Sequence, residues 1–236
     1  GQQADLEFGD GDFFTLHDTR VEPPHLLQYT WRFLGVGPLD TVTWRIDPKD
    51  GGCVVTVTDA EPARTDEAAA QLREGWLDFT RRLKKFLEGG KPIRYAWRHE
   101  FDGSIELAGG GLWELLFGED RQAAWLPLSC TTLADGVGFL ARDGEEPGLL
   151  RVEHVEEYRP RGVRFQLSHS DWVNPTECRL ELAPRRGGAL LSVSHVGWQA
   201  ISRQKEYRKS QRKRFAALWI SALRRARQLT GESLRV

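Results

Sequence analysis

Apolar and polar residues alternate with period two along much of this chain, and the alternating runs occur twice in one arrangement. From Asp12 to Asp59 each residue answers without a gap to one from Gly148 to His195, 136 positions on. Leu27, Tyr29 and Trp31 correspond to Val163, Phe165 and Leu167, and Val42, Trp44 and Ile46 to Cys178, Leu180 and Leu182. Pro24 corresponds to Pro160, and Pro48 with Gly51 and Gly52 to Pro184 with Gly187 and Gly188. Period two is the signature of a half-buried strand, and Pro followed by Gly-Gly between two such runs is hairpin chemistry. Each copy is therefore predicted to be a meander of antiparallel strands.

Between and after the meanders the apolar spacing changes to three and four. Leu72, Trp76, Phe79, Leu83, Phe86 and Leu87 predict a helix capped by Asp66 and stopped by Gly89-Gly90 and Pro92. A long strand is expected from Ile93 to Leu107, with Asp102-Gly103 as a bulge or bend, followed by two short helices around 112–117 and 122–126. A final helix is expected from about Ile201 to Leu229, with Phe215, Leu218, Trp219, Ala222, Leu223 and Ala226 on one face. The second copy thus reads as a strand, two short helices, about six strands and a closing helix. The first copy lacks the opening strand and both short helices. An amphipathic helix and a one-sided sheet bury their apolar faces against each other, so the expected result is a curved sheet gripping a long helix. The boundary is placed at residue 91, giving an incomplete unit over 1–90 and a complete domain over 91–236.

Composition narrows the class. With 236 residues, 40% hydrophobic and nine tryptophans, the chain has material for a packed core. Its 33 basic and 34 acidic residues leave a net charge of -1, so no global field selects nucleic acid or a membrane surface. Cys53, Cys130 and Cys178 lie far apart, and neither a disulfide framework nor a structural metal is indicated; a cytoplasmic location fits. No apolar run is long enough for a membrane-spanning helix. The chain starts with Gly and contains no Met, which suggests a processed or excised segment. No phosphate loop, nucleophile elbow or zinc-protease motif is present, so neither a cofactor nor a metal is expected.

Leu112-Trp113-Glu114-Leu115-Leu116 followed by Trp125 resembles the opening of START-like helix-grip domains (the Bet v 1-like, or SRPBCC, superfamily). The turn from Asp47 to Gly52, the strand Val54–Thr58, and Gly75-Trp76 in a helix ending Phe86-Leu87-Glu88-Gly89-Gly90-Lys91 resemble its branch related to the activator of Hsp90 ATPase. The resemblance covers nearly the whole chain. It implies an α+β helix-grip fold in tandem, one copy complete and one not. It leaves open ligand carriage, chaperone regulation and polyketide cyclase chemistry. The last helix departs from the pattern, with Ala217-Leu218-Trp219 in place of Gly-Trp.

Three functions follow as expectations. The foremost is binding of a small apolar molecule in a cavity between sheet and closing helix, with Phe165, Leu167, Leu180, Val193, Phe215 and Trp219 converging on it. Trp172 is a further lining residue, and His154 and His195 are the polar groups at its ends. The second is regulation of an acidic protein partner through Arg208, Lys209, Arg212 and Lys213, expected on the helix side away from Phe215 and Trp219. The third is a cyclase-type enzyme using His154 or Glu156 for proton transfer. Asp18, Arg20 and Asp59 stand at the first-unit places of His154, Glu156 and His195. A metal held by His154 and His195 is not expected, because they fall on strands that are not neighbours. The missing strand of the first unit leaves an open edge through which the chain could dimerise.

Overall fold

The computed structural model describes residues 3–8, 11–62, 64–92, 98–118, 121–133, 136–141 and 150–231. Strands β1 (Ala4–Glu7), β2 (Phe13–Glu22), β3 (Leu26–Phe33), β4 (Asp40–Lys49) and β5 (Gly52–Ala60) form a five-stranded sheet in that order, followed by helix α1 (Asp66–Leu87). Then come β6 (Phe101–Ala108), α2 (Leu112–Phe117), α3 (Gln122–Trp125), β7 (Leu128–Leu133), β8 (Gly136–Ala141), β9 (Leu150–Tyr158), β10 (Gly162–His169), β11 (Thr176–Arg185), β12 (Gly188–Val196) and α4 (Lys205–Leu229). The second sheet runs β6-β12-β11-β10-β9-β8-β7. The order of elements is the one the spacing predicts for the complete copy.

The repeat holds strand for strand. β2, β3, β4 and β5 recur as β9, β10, β11 and β12, and the turns Asp50-Gly51 and Arg186-Gly187 join the same pair of strands in each unit. Gly51 and Gly187 have φ of 77° and 81°, a backbone region open to glycine without steric cost, which is why the two-residue turn ends on Gly in both copies.

Four local expectations shift. Thr65, not Asp66, caps α1 by accepting the Ala68 N–H at 3.3 Å, so Asp66 becomes the first helical residue beside the positive helix end. α4 begins at Lys205, not Ile201, because residues before it are stitched elsewhere: Val173 N–H donates to Ile201 O at 2.8 Å and Asn174 Nδ2 to Ala200 O at 3.0 Å. The strand expected from Ile93 starts at Phe101, and residues 93–97 lie outside the described residues. Gly103 is not a bulge, since β6 pairs with β12 without interruption. A Cβ there would lie 3.1 Å from Leu34 Cδ1 and 3.2 Å from Leu223 Cδ1, so glycine permits a close approach of strand to helix.

The chain divides into two compact units: Gly1–Leu6, Thr15–Arg32 and Leu39–Trp97 in one, Glu7–Phe14, Phe33–Pro38 and Arg98–Val236 in the other. The core of the second unit is one cluster. It includes Leu34 and Val36, both fully buried, the inner faces of β6 and β9 to β12, the rings of α2 and α3, and the stripe Phe215, Trp219, Ala222, Leu223 and Ala226 of α4. Among the described residues no helix is long and apolar enough to cross a membrane.

Candidate functional site

Phe165, Leu167, Leu180, Val193, Phe215 and Trp219 are each at most 5% exposed and, with Trp172, lie in this one cluster. The strands supply them because β10, β11 and β12 turn every second residue inward, and α4 supplies its rings at positions 215 and 219. Rings fill one end of the interior: His195 lies 4.2 Å from Trp198, 5.3 Å from Phe215 and 6.0 Å from Trp219, and Trp172 lies 5.6 Å from Trp198.

His195 is fully buried on β12, and its tautomer follows from its neighbours. Trp219 Nε1–H can only donate, and it reaches His195 Nδ1 at 2.9 Å. The proton of the neutral ring therefore sits on Nε2, which donates to Thr176 Oγ1 at 2.8 Å, and Thr176 Oγ1 donates onward to Leu167 O at 3.3 Å. Burial, reinforced by the Arg212 charge, lowers the His195 pKa to about 3. Both ring nitrogens are engaged in tethering α4 to β11 and β10, which leaves this imidazole without a free site for proton transfer.

The first unit repeats the tether with different chemistry. Trp76 Nε1–H of α1 donates to Asp59 Oδ2 at 2.9 Å, and Asp59 is the repeat counterpart of His195. Trp76 and Trp219 are thus equivalent, which settles the alignment of the two closing helices that Ala217-Leu218-Trp219 obscures. Arg64 Nη2 lies 2.9 Å from both Asp59 Oδ1 and Asp40 Oδ1, with Glu61 at 3.9 Å from its Nε. Three carboxylates share one guanidinium, and desolvation together with the Asp59 charge raises the Asp40 pKa to about 6. A carboxyl raised in the folded state contributes stability that is full below its unfolded value and lost as pH rises through 6. Hydrogen exchange of β5 and α1 should therefore slow as pH is lowered from 7.5 to 5, after correction for intrinsic rates, by about 1 kcal/mol of protection. Asp40→Asn should abolish that gain; equal protection changes in both proteins would refute it.

His154 is not brought to the group. The β9–β10 register shifts between Arg164 and Gln166, and His154, opposite that bulge, has φ of 53° and is exposed, while Val152 stays buried. The extra residue breaks the alternation on which its inward placement rested. Its first-unit counterpart Asp18 has the same left-handed backbone, φ 48°, so this backbone conformation is part of the repeat. Glu156, past the bulge, is exposed; it accepts a hydrogen bond from Tyr158 and pairs across strands with Arg164, itself 2.6 Å from Glu177. His154 and His195 sit on strands separated by two others. Among the described residues no group of three His, Cys, Asp or Glu is placed to hold a metal ion.

Arg212 also departs from expectation. Positions 212, 215, 219, 222 and 226 are spaced by three and four, so Arg212 belongs to the apolar stripe and not to the opposite side. It is fully buried, with Nη2 at 2.8 Å from Asp12 Oδ1 and from Glu100 O, and its guanidinium lies 5.7 Å from the Phe101 ring centre. Arg208 is half-buried and donates to Ser202 O at 2.8 Å. Lys213 is exposed, and half-buried Lys209 sits 3.6 Å from Glu206. The four cations do not form one outward patch.

Trp172 was expected to line the site and Trp113 was not, yet the two share one feature. The indole N–H groups of Trp113 and Trp172, both 8% exposed, find no acceptor among the described residues. They stand at opposite ends of β10: the Trp113 ring is 5.6 Å from the Arg159 guanidinium, just before β10, and Trp172 follows its last residue. Only their placement on helix and connection hinted at a role.

The family model of the activator of Hsp90 ATPase homolog 1-like protein matches residues 3–88. No curated protein matches the chain. Among solved structures it is similar to that of DynU16, a protein in the dynemicin biosynthetic locus, with 38% identity over 98% of this chain and 84% of that one and a TM-score of 0.83. The di-domain ARO/CYC StfQ from the steffimycin biosynthetic pathway matches at 16% identity over 97% of this chain and 87% of that one, TM-score 0.43. The di-domain ARO/CYC BexL from the BE-7585A pathway matches at 11% over 98% and 88%, TM-score 0.39; these two scores are too low to bear on the site. Two meanders that repeat strand for strand, each closed by a helix tethered through its tryptophan, together with the DynU16 likeness, lead to one conclusion: the chain belongs to the START-like helix-grip superfamily, as a tandem member whose first unit matches the activator of Hsp90 ATPase branch.

Proposed function

We propose that this protein binds an elongated, mostly apolar small molecule between the sheet and the closing helix of the second unit, without transforming it. The observation that carries the reading is the pair of buried indole N–H groups of Trp113 and Trp172. A buried donor without an acceptor costs about 1–3 kcal/mol, and a ligand carbonyl or hydroxyl at either position would recover it. β10, eight residues long with an apolar inner face, runs between the turn whose Arg159 lies over the Trp113 ring and the connection that carries Trp172. The likeness to a protein from a natural-product biosynthetic locus supports a ligand of that kind. The proton-transfer alternative loses support from the engaged imidazole of His195 and the exposed positions of His154 and Glu156.

Native mass spectrometry of freshly purified protein should show a co-purified small molecule, retained less well by Trp172→Phe and Trp113→Phe. A protein that carries no adduct and takes up no apolar fluorescent probe would remove the reading. Phe165→Ala provides an independent check midway along β10. Deleting a core aromatic ring costs roughly 3–5 kcal/mol. In a unit built to part around a ligand the loss should be smaller and probe uptake should change. The full core penalty with unchanged uptake would instead assign Phe165 to packing alone.

A further inference from the structure

Four ring N–H groups gather at the end of the second unit's interior where β10 gives way to β11, and three of them have acceptors. Trp219 Nε1 donates to His195 Nδ1, His195 Nε2 to Thr176 Oγ1, and Trp198 Nε1 to His195 O at 3.0 Å. Trp172 Nε1 is the fourth, and among the described residues it has no acceptor. Its ring is walled by Trp198 at 5.6 Å and Phe215 at 5.7 Å.

A fifth N–H stands beside it. The ring of His169, the last residue of β10, lies 5.5 Å from the Trp172 ring at an interplanar angle of 31°. His169 Nδ1 accepts the Asp171 N–H at 3.0 Å, so the proton of the neutral imidazole sits on Nε2. Partial burial lowers the His169 pKa against the opposing pull of Asp171, which favours that neutral form. Among the described residues Nε2 has no hydrogen-bond partner. Two neutral donors on neighbouring rings are thus unused at one end of the apolar face of β10.

The backbone holds both rings in place. Trp172 N–H donates to His169 O at 2.9 Å, closing a turn, and Val173 N–H donates to Ile201 O at 2.8 Å, tying that turn to the connection before α4. The turn also reaches the surface, with Val173 74% exposed and the Asp171 side chain 69%, so the donors lie where the interior meets solvent. The charge beside them is a carboxylate: Asp171 Oδ2 is 3.9 Å from His169 Nδ1, whereas the Arg214 guanidinium stands over the Phe215 ring. A carbonyl oxygen has two lone pairs and no net charge, which matches two N–H donors next to an anion. A carboxylate would be repelled by Asp171, and a hydrocarbon would leave the buried indole donor unmet.

We infer, on the basis of the apolar-ligand binding proposed above, that this end of the site recognises a neutral ketone-type carbonyl group, whose oxygen accepts from Trp172 Nε1 and His169 Nε2 together.

Three fluorescent dialkylaminonaphthalenes of similar size test this on the full chain: one bearing a ketone, one an alkyl group in its place, and one a carboxylate. The ketone should bind about tenfold tighter than either analogue, and its carbonyl stretch should move to lower frequency on binding. Trp172→Phe should erase most of the ketone's advantage over the alkyl probe and return the stretch toward its unbonded frequency. His169→Asn, which keeps an acceptor for the Asp171 N–H but removes the Nε2 donor, should do the same in part, and it carries the test alone if Trp172→Phe fails to fold. Equal binding of ketone and alkyl probes, or a ketone advantage that survives both variants, overturns the inference and leaves the binding of apolar ligands standing. Tightest binding by the carboxylate also overturns it and assigns this end to a cation. If none of the probes binds, the proposed ligand binding fails and the inference fails with it.

Discussion

Arg212→Glu should destabilise the second unit by about 3–5 kcal/mol or more, lowering its melting temperature by roughly 10 °C. The residue is fully buried with Asp12 Oδ1 at 2.8 Å, so reversal would replace an ion pair by two carboxylates facing each other out of water. Asp12→Ala should cost a comparable amount, because it takes a carboxylate at 2.8 Å away from a fully buried guanidinium. Lys213→Glu, one position along and exposed, should change stability by less than about 0.5 kcal/mol. The contrast separates a buried clamp from a solvated basic face. The double variant Asp12→Leu with Arg212→Met should recover most of the loss, since a well-packed apolar pair can replace a buried ion pair. Thermal unfolding that does not distinguish Arg212→Glu from Lys213→Glu would refute the burial. The same physics bears on the boundary proposed at residue 91. A fragment of residues 91–236 would contain Arg212 without Asp12, and its core without Leu34 and Val36, so it should unfold at lower denaturant than the second unit does in the full chain.

The second unit should lose about 2 kcal/mol of stability between pH 7.5 and pH 5 through His195 alone, approaching a total of about 5 kcal/mol as pH falls to 3. The folded-state pKa is lowered from 6.5 to about 3 by burial and the Arg212 charge, so the unfolded chain takes up the proton first. The contribution is therefore complete above 6.5 and lost as pH falls from there toward 3. Its sign is opposite to that of Asp40, so acidification should loosen the second unit and tighten the first. His195→Leu should remove the acid sensitivity while costing stability at pH 8, because the Trp219 N–H loses its acceptor and the Thr176 hydroxyl its donor. Urea midpoints of the two proteins at pH 7.5 and 5 decide the matter. Equal pH shifts in wild type and variant would show that another group carries the effect.

The meanders, their hairpin turns, the two short helices and the closing helices were legible in the sequence because each rests on a local period or on turn chemistry that a short window contains. The internal repeat added the order of strands. Asp59 and His195 were visible as polar residues at matching places, but not their partners. That Trp76 and Trp219 donate to them depends on where a helix lands across a sheet, a distance in space that no spacing along the chain encodes. The bulge opposite His154 was hidden for a different reason: one added residue reverses the side-chain direction of all that follows, and composition barely registers it. The position of Arg212 on the apolar stripe follows from counting threes and fours. What no counting supplies is the reason a cation can stay there, which is a carboxylate from residue 12 and a carbonyl from residue 100 brought to it by the fold. Periodicity alone determined which residues turn inward along each element. Tertiary structure decided which inward polar groups have partners, because the complement of a buried charge or donor comes from residues distant in the chain: it is delivered to Arg212 and His195, and among the described residues it is not delivered to the indoles of Trp113 and Trp172.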